Sequence, residues 1–273
     1  MTVSRPVQRA ARWLAIPALA SALVLGGCSS TPKEDPNSQQ AVDKLYADAQ
    51  DDMSSGNYER ATQTLQRVEG RAAGTLLAQQ ATLDLAYVHY RTGERTEALA
   101  VLDRFMKLHP SSPAYDYALY LRGIVNFNDN LGFLGSLSRQ ELSERDQQAS
   151  RDSYQSFKQL AEQFPGSKYA PDARERMNYI VNALAEYEVH VARYYYKRGA
   201  YVAAANRAQQ ATQEFQRSPA VEEALYILAM SYDRLGLEQL RDDSTRVLRQ
   251  NFPDSKFLAE GLREREKAWW QFW

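Results

Sequence analysis

The sequence predicts an all-α protein: a right-handed superhelix of about five helical hairpins, preceded by a leader and a flexible tether. Three observations carry this reading. From Ala41 onward apolar residues recur at helical spacing. Glycine-centred turns return at a fixed period, with 37 residues from Gly56 to Gly93 and again from Gly199 to Gly236. Proline-containing breaks close alternate helices. A hairpin of this size cannot bury its apolar face alone, and stacking neighbours makes the core continuous.

The first element is the leader. Arg5, Arg9 and Arg12 form a basic stretch, and Trp13 to Leu25 form an apolar run interrupted only by Pro17 and Ser21. That run is shorter than the roughly 20 residues a spanning helix needs, and it fits a secretory signal peptide over 1–27. Leu25-Gly26-Gly27-Cys28 follows and resembles a bacterial lipobox. Cys28 is the only cysteine of the chain, so it has no internal disulfide partner. Lipidation of its thiol accounts for an odd cysteine in an exported protein. Ser29 stands where the enterobacterial sorting rule places Asp for inner-membrane retention, so it resembles an outer-membrane address. Residues 28–40, polar and Pro-containing, read as a tether that holds the folded part off the membrane.

The repeat domain is expected over 41–264. Its turns are Ser55-Gly56-Asn57-Tyr58, Thr92-Gly93-Glu94-Arg95, Arg198-Gly199-Ala200-Tyr201 and Leu235-Gly236-Leu237-Glu238. Small residues stand seven before each glycine (Ala49, Ala86, Ala192, Ala229) and five after three of them (Ala61, Ala98, Ala204), with Arg241 the exception. They let the two helices of a hairpin approach closely. Pro110, Pro165 and Pro253 end the second helices, because proline lacks the N–H and clashes with the preceding turn. The Ser or Asp that follows is suited to capping the next helix. This combination, with a period somewhat above 34 residues, resembles the tetratricopeptide repeat. The middle repeat is irregular: its first helix is expected near Ala114 to Phe127 with Gly123 at the small position, and its second runs to about Gln163. An insertion, Asn128 to Arg145, lies between them and reads equally as a binding loop or a packing loop.

In such a superhelix the first helix of each hairpin lines the concave face. Counting from the turn glycines and Gly123, that face is expected to carry Tyr46 and Gln50, then Leu83, Tyr87 and Tyr90. Tyr117, Tyr120, Ile124 and Phe127 follow, and later repeats offer Val189, Arg193, Tyr196, Lys197, Tyr226 and Met230. Tyrosine supplies rigid amphipathic contact area. With 17 Tyr in the chain, the same residues also serve as packing between hairpins, and both readings stand. The candidate peptide groove is therefore Tyr46, Gln50, Tyr87, Tyr90, Tyr120, Ile124 and Phe127.

Composition bounds the chemistry. Basic and acidic residues number 33 and 34, a net charge of −1, which does not favour a nucleic-acid partner. The three His are scattered and no zinc-like spacing, P-loop or nucleophile-elbow motif occurs. No cofactor, metal site or enzymatic activity is expected. The end of the chain, 265–273, places three of the four Trp in its last five positions. Such a tail suits the membrane interface, a partner surface, or folding back on the last hairpin.

Several blocks are more specific than a generic repeat. They are Leu83-Asp84-Leu85-Ala86-Tyr87-Val88-His89-Tyr90 with Leu108-His109-Pro110, Asp116-Tyr117-Ala118-Leu119-Tyr120-Leu121-Arg122-Gly123, Pro165-Gly166-Ser167-Lys168-Tyr169, and Arg198-Gly199-Ala200-Tyr201 with Asn206-Arg207. They are similar to the BamD (ComL) family of tetratricopeptide-repeat lipoproteins. The resemblance implies a non-catalytic scaffold of the outer-membrane β-barrel assembly (BAM) complex, lipid-anchored at the periplasmic face of the outer membrane. It implies docking to the POTRA domains of BamA, contact with accessory lipoproteins such as BamC and BamE, and capture of the C-terminal targeting segment of unfolded barrel proteins. Arg193, Lys197 and Arg207 are the candidates for partner docking. The link Gly70 to Leu77 departs from the family pattern by lacking a Tyr-Pro ending. An alternative function is a repeat lipoprotein adaptor that recruits peptidoglycan enzymes or proteases.

Overall fold

The computed structural model describes residues 38–127 and 144–262. The signal peptide with Cys28, nearly all of the tether and of the insertion, and the aromatic tail lie outside the described residues. Eleven helices are present among those described: α1 (Gln39–Ser54), α2 (Tyr58–Arg71), α3 (Leu76–Arg91), α4 (Arg95–Leu108), α5 (Tyr115–Asn126), α6 (Glu144–Gln163), α7 (Ala170–Lys197), α8 (Tyr201–Glu214), α9 (Val221–Arg234), α10 (Glu238–Asn251) and the short α11 (Lys256–Glu260). From α1 to α10 each helix packs on its neighbour in sequence, so α1/α2, α3/α4, α5/α6, α7/α8 and α9/α10 are five stacked hairpins of tetratricopeptide type, and the short α11 packs on α9. Helix α1 begins two residues before Ala41, where the Ser38 Oγ accepts the Ala41 N–H at 3.2 Å.

The turn glycines do what the period requires. Gly56, Gly93, Gly199 and Gly236 hold φ of 76, 80, 77 and 73°, the left-handed region where a side chain is disfavoured. At each turn the residue after the glycine donates its N–H back to the carbonyl five residues earlier, as in Asn57 to Asp52 at 2.8 Å and Leu237 to Tyr232 at 2.9 Å. This is the Schellman closure, and it satisfies carbonyls that the helix end would leave unpaired. The small residues flanking the turns are all interior: Ala49, Ala61, Ala86, Ala98, Ala192, Ala204 and Ala229 are at most 1% exposed. Arg241, the exception, lies instead at the surface, donating to Asp242 at 2.8 Å and to Asp233 at 3.1 Å.

In the irregular middle repeat, α5 and α6 cross at Gly123. A Cβ there would drive into the Phe157 ring, so only glycine admits this approach. The Ser153 hydroxyl, fully buried, donates to the Gly123 carbonyl at 2.8 Å and fixes the crossing. The prolines act as expected: α4, α6 and α10 end two residues before Pro110, Pro165 and Pro253. After the first two prolines, Ser112 and Ser167 organise the link rather than capping the next helix directly, and Ser255 makes no side-chain cap bond. Ser112 accepts the Ala114 N–H at 3.3 Å, and Ser167 accepts the Tyr169 N–H at 3.2 Å, both two residues on. Ser167 also donates to Asp116 at 2.6 Å, tying the link to the start of α5.

Two of the residues expected on the concave face are core instead. Leu83 is 0% exposed and packs with Leu102, Phe105 and Leu121, and Val189 is 2% exposed among the alanines of repeat four. Helix α3 is sandwiched between α2 and α4, and residues 81–86 are buried in succession. A helix covered on several sides has no single apolar stripe, so counting from the glycine could not separate the groove side from the packed sides.

Candidate functional site: an aromatic and carboxylate stripe on the first helices

Hydrogen-bonded phenols link the first helices in pairs, α1 to α3 and α5 to α7, and Tyr87 and Tyr117 pack on a shared core between α3 and α5. The Tyr46 hydroxyl of α1 donates to the Asp84 carboxylate of α3 at 2.7 Å. Gln50, one turn on from Tyr46, donates to both the Tyr46 oxygen and Asp84 at 2.8 Å. Gln80 completes the set by donating to the other Asp84 oxygen at 3.0 Å. Asp84 is only 8% exposed. Burial raises its pKa above the ordinary carboxylate value, and the donors from Tyr46, Gln80 and Gln50 oppose that shift. Burial, with the Asp84 charge alongside, also pushes the Tyr46 phenol well above its usual range, so it stays a donor.

Further along, Tyr117 of α5 is another phenol raised by burial, with Asp84 and Tyr169 as charged or ionisable neighbours. Tyr120 stacks on Tyr169 at 4.7 Å between ring centroids and donates to Asp172 of α7 at 2.8 Å. Arg176 donates to the same Asp172 oxygen at 2.7 Å while its guanidinium covers the Phe127 ring at 4.7 Å. Phe127 itself packs edge-on against Phe157 and lies 5.5 Å from the Tyr179 ring. Ile124 belongs to the same cluster, half-buried.

The groove candidates therefore divide. Tyr46 and Gln50 belong to a hydrogen-bonded cluster around Asp84 and Tyr120 to a second around Asp172, the packed Tyr117 and Tyr169 rings lie between them, and Ile124 and Phe127 close the far end of this strip against the core. Tyr87 and Tyr90 continue along α3 from Asp84 toward its C-terminal end, with rings 6.4 Å apart and Tyr90 at 38% exposure. Tyr87 accepts an N–H of Arg91 at 2.8 Å. Counting positions along the repeats missed Asp84, Asp172, Tyr169 and Arg91. Asp84 had a signal: a lone carboxylate inside the apolar run Leu83-Asp84-Leu85-Ala86 is costly to bury unless it is hydrogen-bonded.

The second group of candidates has a different setting. Arg193 of α7 forms a two-pronged bridge to Glu223 of α9, at 2.5 and 2.6 Å. Arg207 of α8 reaches Glu188 of α7 at 3.1 Å, and Glu188 is 2% exposed. Lys197 is exposed at the end of α7. Arg193 thus ties repeat four to repeat five and Arg207 ties the two helices of repeat four to each other, while about two-fifths of each side chain, 39% and 41%, stays at the surface. Among the described residues no group of three or more His, Cys, Asp or Glu is arranged to hold a metal ion. None of the described helices is long and apolar enough to cross a membrane.

This arrangement can be set beside known proteins. Residues 38–248 match the family model YfiO, described as "Outer membrane lipoprotein". The chain is 46% identical over 255 residues, 92% of its length and 96% of the relative, to the outer membrane protein assembly factor BamD of Neisseria meningitidis. It is 33% identical to BamD of Xylella fastidiosa, over 88% of this chain and 82% of that one, and 32% identical to BamD of Haemophilus influenzae, over 85% and 88%. A solved structure of BtubC from P. vanneervenii aligns over 84% of this chain and 85% of that one, at 13% identity with a TM-score of 0.31, which carries no weight. The chain belongs to the YfiO family of outer membrane lipoproteins, in which its relatives are the BamD assembly factors.

Proposed function

We propose that this chain is a scaffold of outer-membrane β-barrel assembly, held by lipid on Cys28 at the periplasmic face of the outer membrane. The observation that carries the reading is the strip of two hydrogen-bonded clusters, Tyr46 with Asp84 and Tyr120 with Asp172, with the packed Tyr117 and Tyr169 rings between them and Phe127 at the end. Such a strip matches an extended polypeptide: aromatic faces take alternate side chains, and phenols and amides pair with backbone groups. The names of the 46% and 33% identical relatives, assembly factors for outer membrane proteins, supply the class of polypeptide. The substrate segment is the C-terminal targeting segment of an unfolded barrel protein. It binds along repeats one to three without covalent chemistry.

Repeats four and five hold the barrel catalyst. Arg193, Lys197 and Arg207 face the BamA POTRA domains, and accessory lipoproteins such as BamC and BamE contact the rest of the scaffold. The ion pairs of Arg193 and Arg207 support this reading by fixing both guanidinium groups before a partner arrives, which lowers the entropic cost of docking. Copurification from membranes tests it. Recovery of a BamA-type barrel protein with the chain, lost when Arg193 and Lys197 are both replaced by Ala, is the expected result. Recovery of murein enzymes alone, or normal porin levels after depletion of the chain, would contradict it.

A further inference from the structure

We infer that Arg91 is the anion-reading residue of the groove: its guanidinium receives a carboxylate of the bound extended segment. This rests on the groove reading above and adds a charge and a direction to it. Arg91 ends α3, and its guanidinium carbon lies 5.5 Å from the Tyr58 ring centroid and 5.7 Å from that of Tyr87. One of its N–H groups is given to the Tyr87 oxygen at 2.8 Å. No carboxylate among the described residues pairs with it. The acid closest in sequence, Glu94, is bound to His89 at 2.6 Å. Most arginines on this molecule that bridge helices do so to carboxylates, as Arg104 to Glu69, Arg193 to Glu223 and Arg207 to Glu188 do. Arg91 is instead oriented by a phenol and two ring faces, which fix its position and leave its charge unneutralised. A guanidinium retains N–H donors after giving one away, in a fork that matches a carboxylate.

Position along α3 makes the charge informative. Asp84 precedes Arg91 by seven residues, two helical turns, so the two lie on one face about 10 Å apart along the axis. Both Asp84 oxygens are occupied by Tyr46, Gln50 and Gln80, so this carboxylate takes no ligand cation but repels an anion. An extended segment covers about 10 Å in three residues. A bound segment is therefore favoured with its carboxylate at Arg91 and a neutral stretch about three residues away beside Tyr46. Tyr87 and the exposed Tyr90 flank the carboxylate and offer ring faces to an adjacent apolar or aromatic side chain.

The carboxylate has two sources, the segment's own C-terminus or an acidic side chain near it. The test uses the full chain in detergent and a ten-residue synthetic peptide of alternating aromatic and polar residues ending in Phe. The peptide is made with a free C-terminus, with an amidated one, and with its acidic side chains changed to amides. Binding is read by fluorescence anisotropy for the unaltered protein and for Arg91→Gln, Arg91→Lys and Tyr87→Ala, with helicity checked by circular dichroism. Arg91→Gln is expected to weaken the free-acid peptide about tenfold or more and to abolish the acid-over-amide preference. Arg91→Lys should recover part of the loss, since a point charge lacks the fork. Sensitivity to amidation assigns the C-terminus, whereas sensitivity to the side-chain change alone assigns an acidic residue. Equal affinities for all three peptides, unaltered by Arg91→Gln but weakened by Tyr87→Ala, would overturn the role of Arg91 and leave the groove standing. No binding of any peptide would overturn both.

Discussion

Repeats three and four solve the same packing problem with opposite materials. In repeat three, Phe157, Leu160 and Leu119 form a core of large side chains, joined by Ile180 of α7 and Phe215 at the end of α8, with Tyr120, Tyr169 and Phe127 packed on it. In repeat four, Ala192, Ala204, Ala205, Ala208 and Ala211 bring backbones together, and Val189 with Ile227 and Leu228 of α9 fills the space between. The aromatic repeat has rings left over at its surface, and they continue into the phenol and carboxylate strip. The alanine repeat also leaves rings outside, with Tyr194 51% exposed, but they sit against one another and Arg198, and Arg–Glu bridges hold that surface. On the proposed function, one half offers faces to an extended chain and the other presents fixed charges to a folded partner.

Substitutions probe this contrast, the largest effects first. Phe157→Ala should destabilise the chain by about 3–5 kcal/mol, because the cavity would open under both Gly123 and Phe127. Chemical denaturation reads this directly, and a loss below about 1 kcal/mol would show that repeat three does not depend on its rings. Arg207→Ala leaves the buried Glu188 carboxylate without its partner and should cost about 1–3 kcal/mol. Arg193→Ala breaks a pair whose Arg side chain is 39% exposed and should cost less than about 1 kcal/mol. If Arg193→Ala nonetheless weakens capture of the POTRA domains more than Arg207→Ala does, as we expect, docking and stability are separable in this half.

In the other half, Tyr46→Phe removes one donor from Asp84 and should cost about 1–2 kcal/mol. The pH dependence sharpens the point. Because burial raises the Asp84 pKa, the folded chain binds this proton more tightly than the unfolded chain does. Stability contributed by Asp84 is thus largest in acid and falls as pH rises from the ordinary carboxylate value, about 4, through the raised folded one. Asp84→Asn abolishes that titration. Subtracting its denaturation free energy from that of the unaltered chain, pH by pH, should leave a difference that declines as pH rises. A difference that stays flat would remove the buried charge from the account.

The smallest expected effect on stability belongs to Tyr87→Ala, half-buried beside Arg91, and there the effect should fall mainly on peptide affinity. Phe127→Ala is the less clean probe, since Phe127 packs on Phe157, Tyr179 and Arg176 and its loss would disturb the core as well.

Local chemistry was well written in the sequence. Gly56, Gly93, Gly199 and Gly236 announced left-handed turns, and Ala49, Ala86, Ala192 and Ala229 the close contacts beside them, because each depends on a few neighbouring residues. Pairings across repeats were not legible. Tyr46 meets Asp84 from 38 residues away, and Tyr120 meets Asp172 from 52. Arg193 and Arg207 were visible as cations, but Glu223 and Glu188, which hold them, sit on other helices at separations no spacing rule predicts. Leu83 was misplaced for a related reason: α3 is covered on several sides, and its groove face is marked by Asp84 and Tyr87 rather than by periodicity.

The central claim is that the first helices of repeats one to three bind the substrate segment. Site-specific photocrosslinking tests it most directly. A photoreactive residue is placed at Tyr87, Tyr90 or Ile124 on the strip, at the exposed Gln66 on α2, and at the exposed Lys197 on α7, and each is presented with the C-terminal peptide of a barrel protein. The account predicts crosslinks from Tyr87, Tyr90 and Ile124 and none from Gln66 or Lys197. Crosslinks from Gln66 or Lys197 with none from the strip would contradict it.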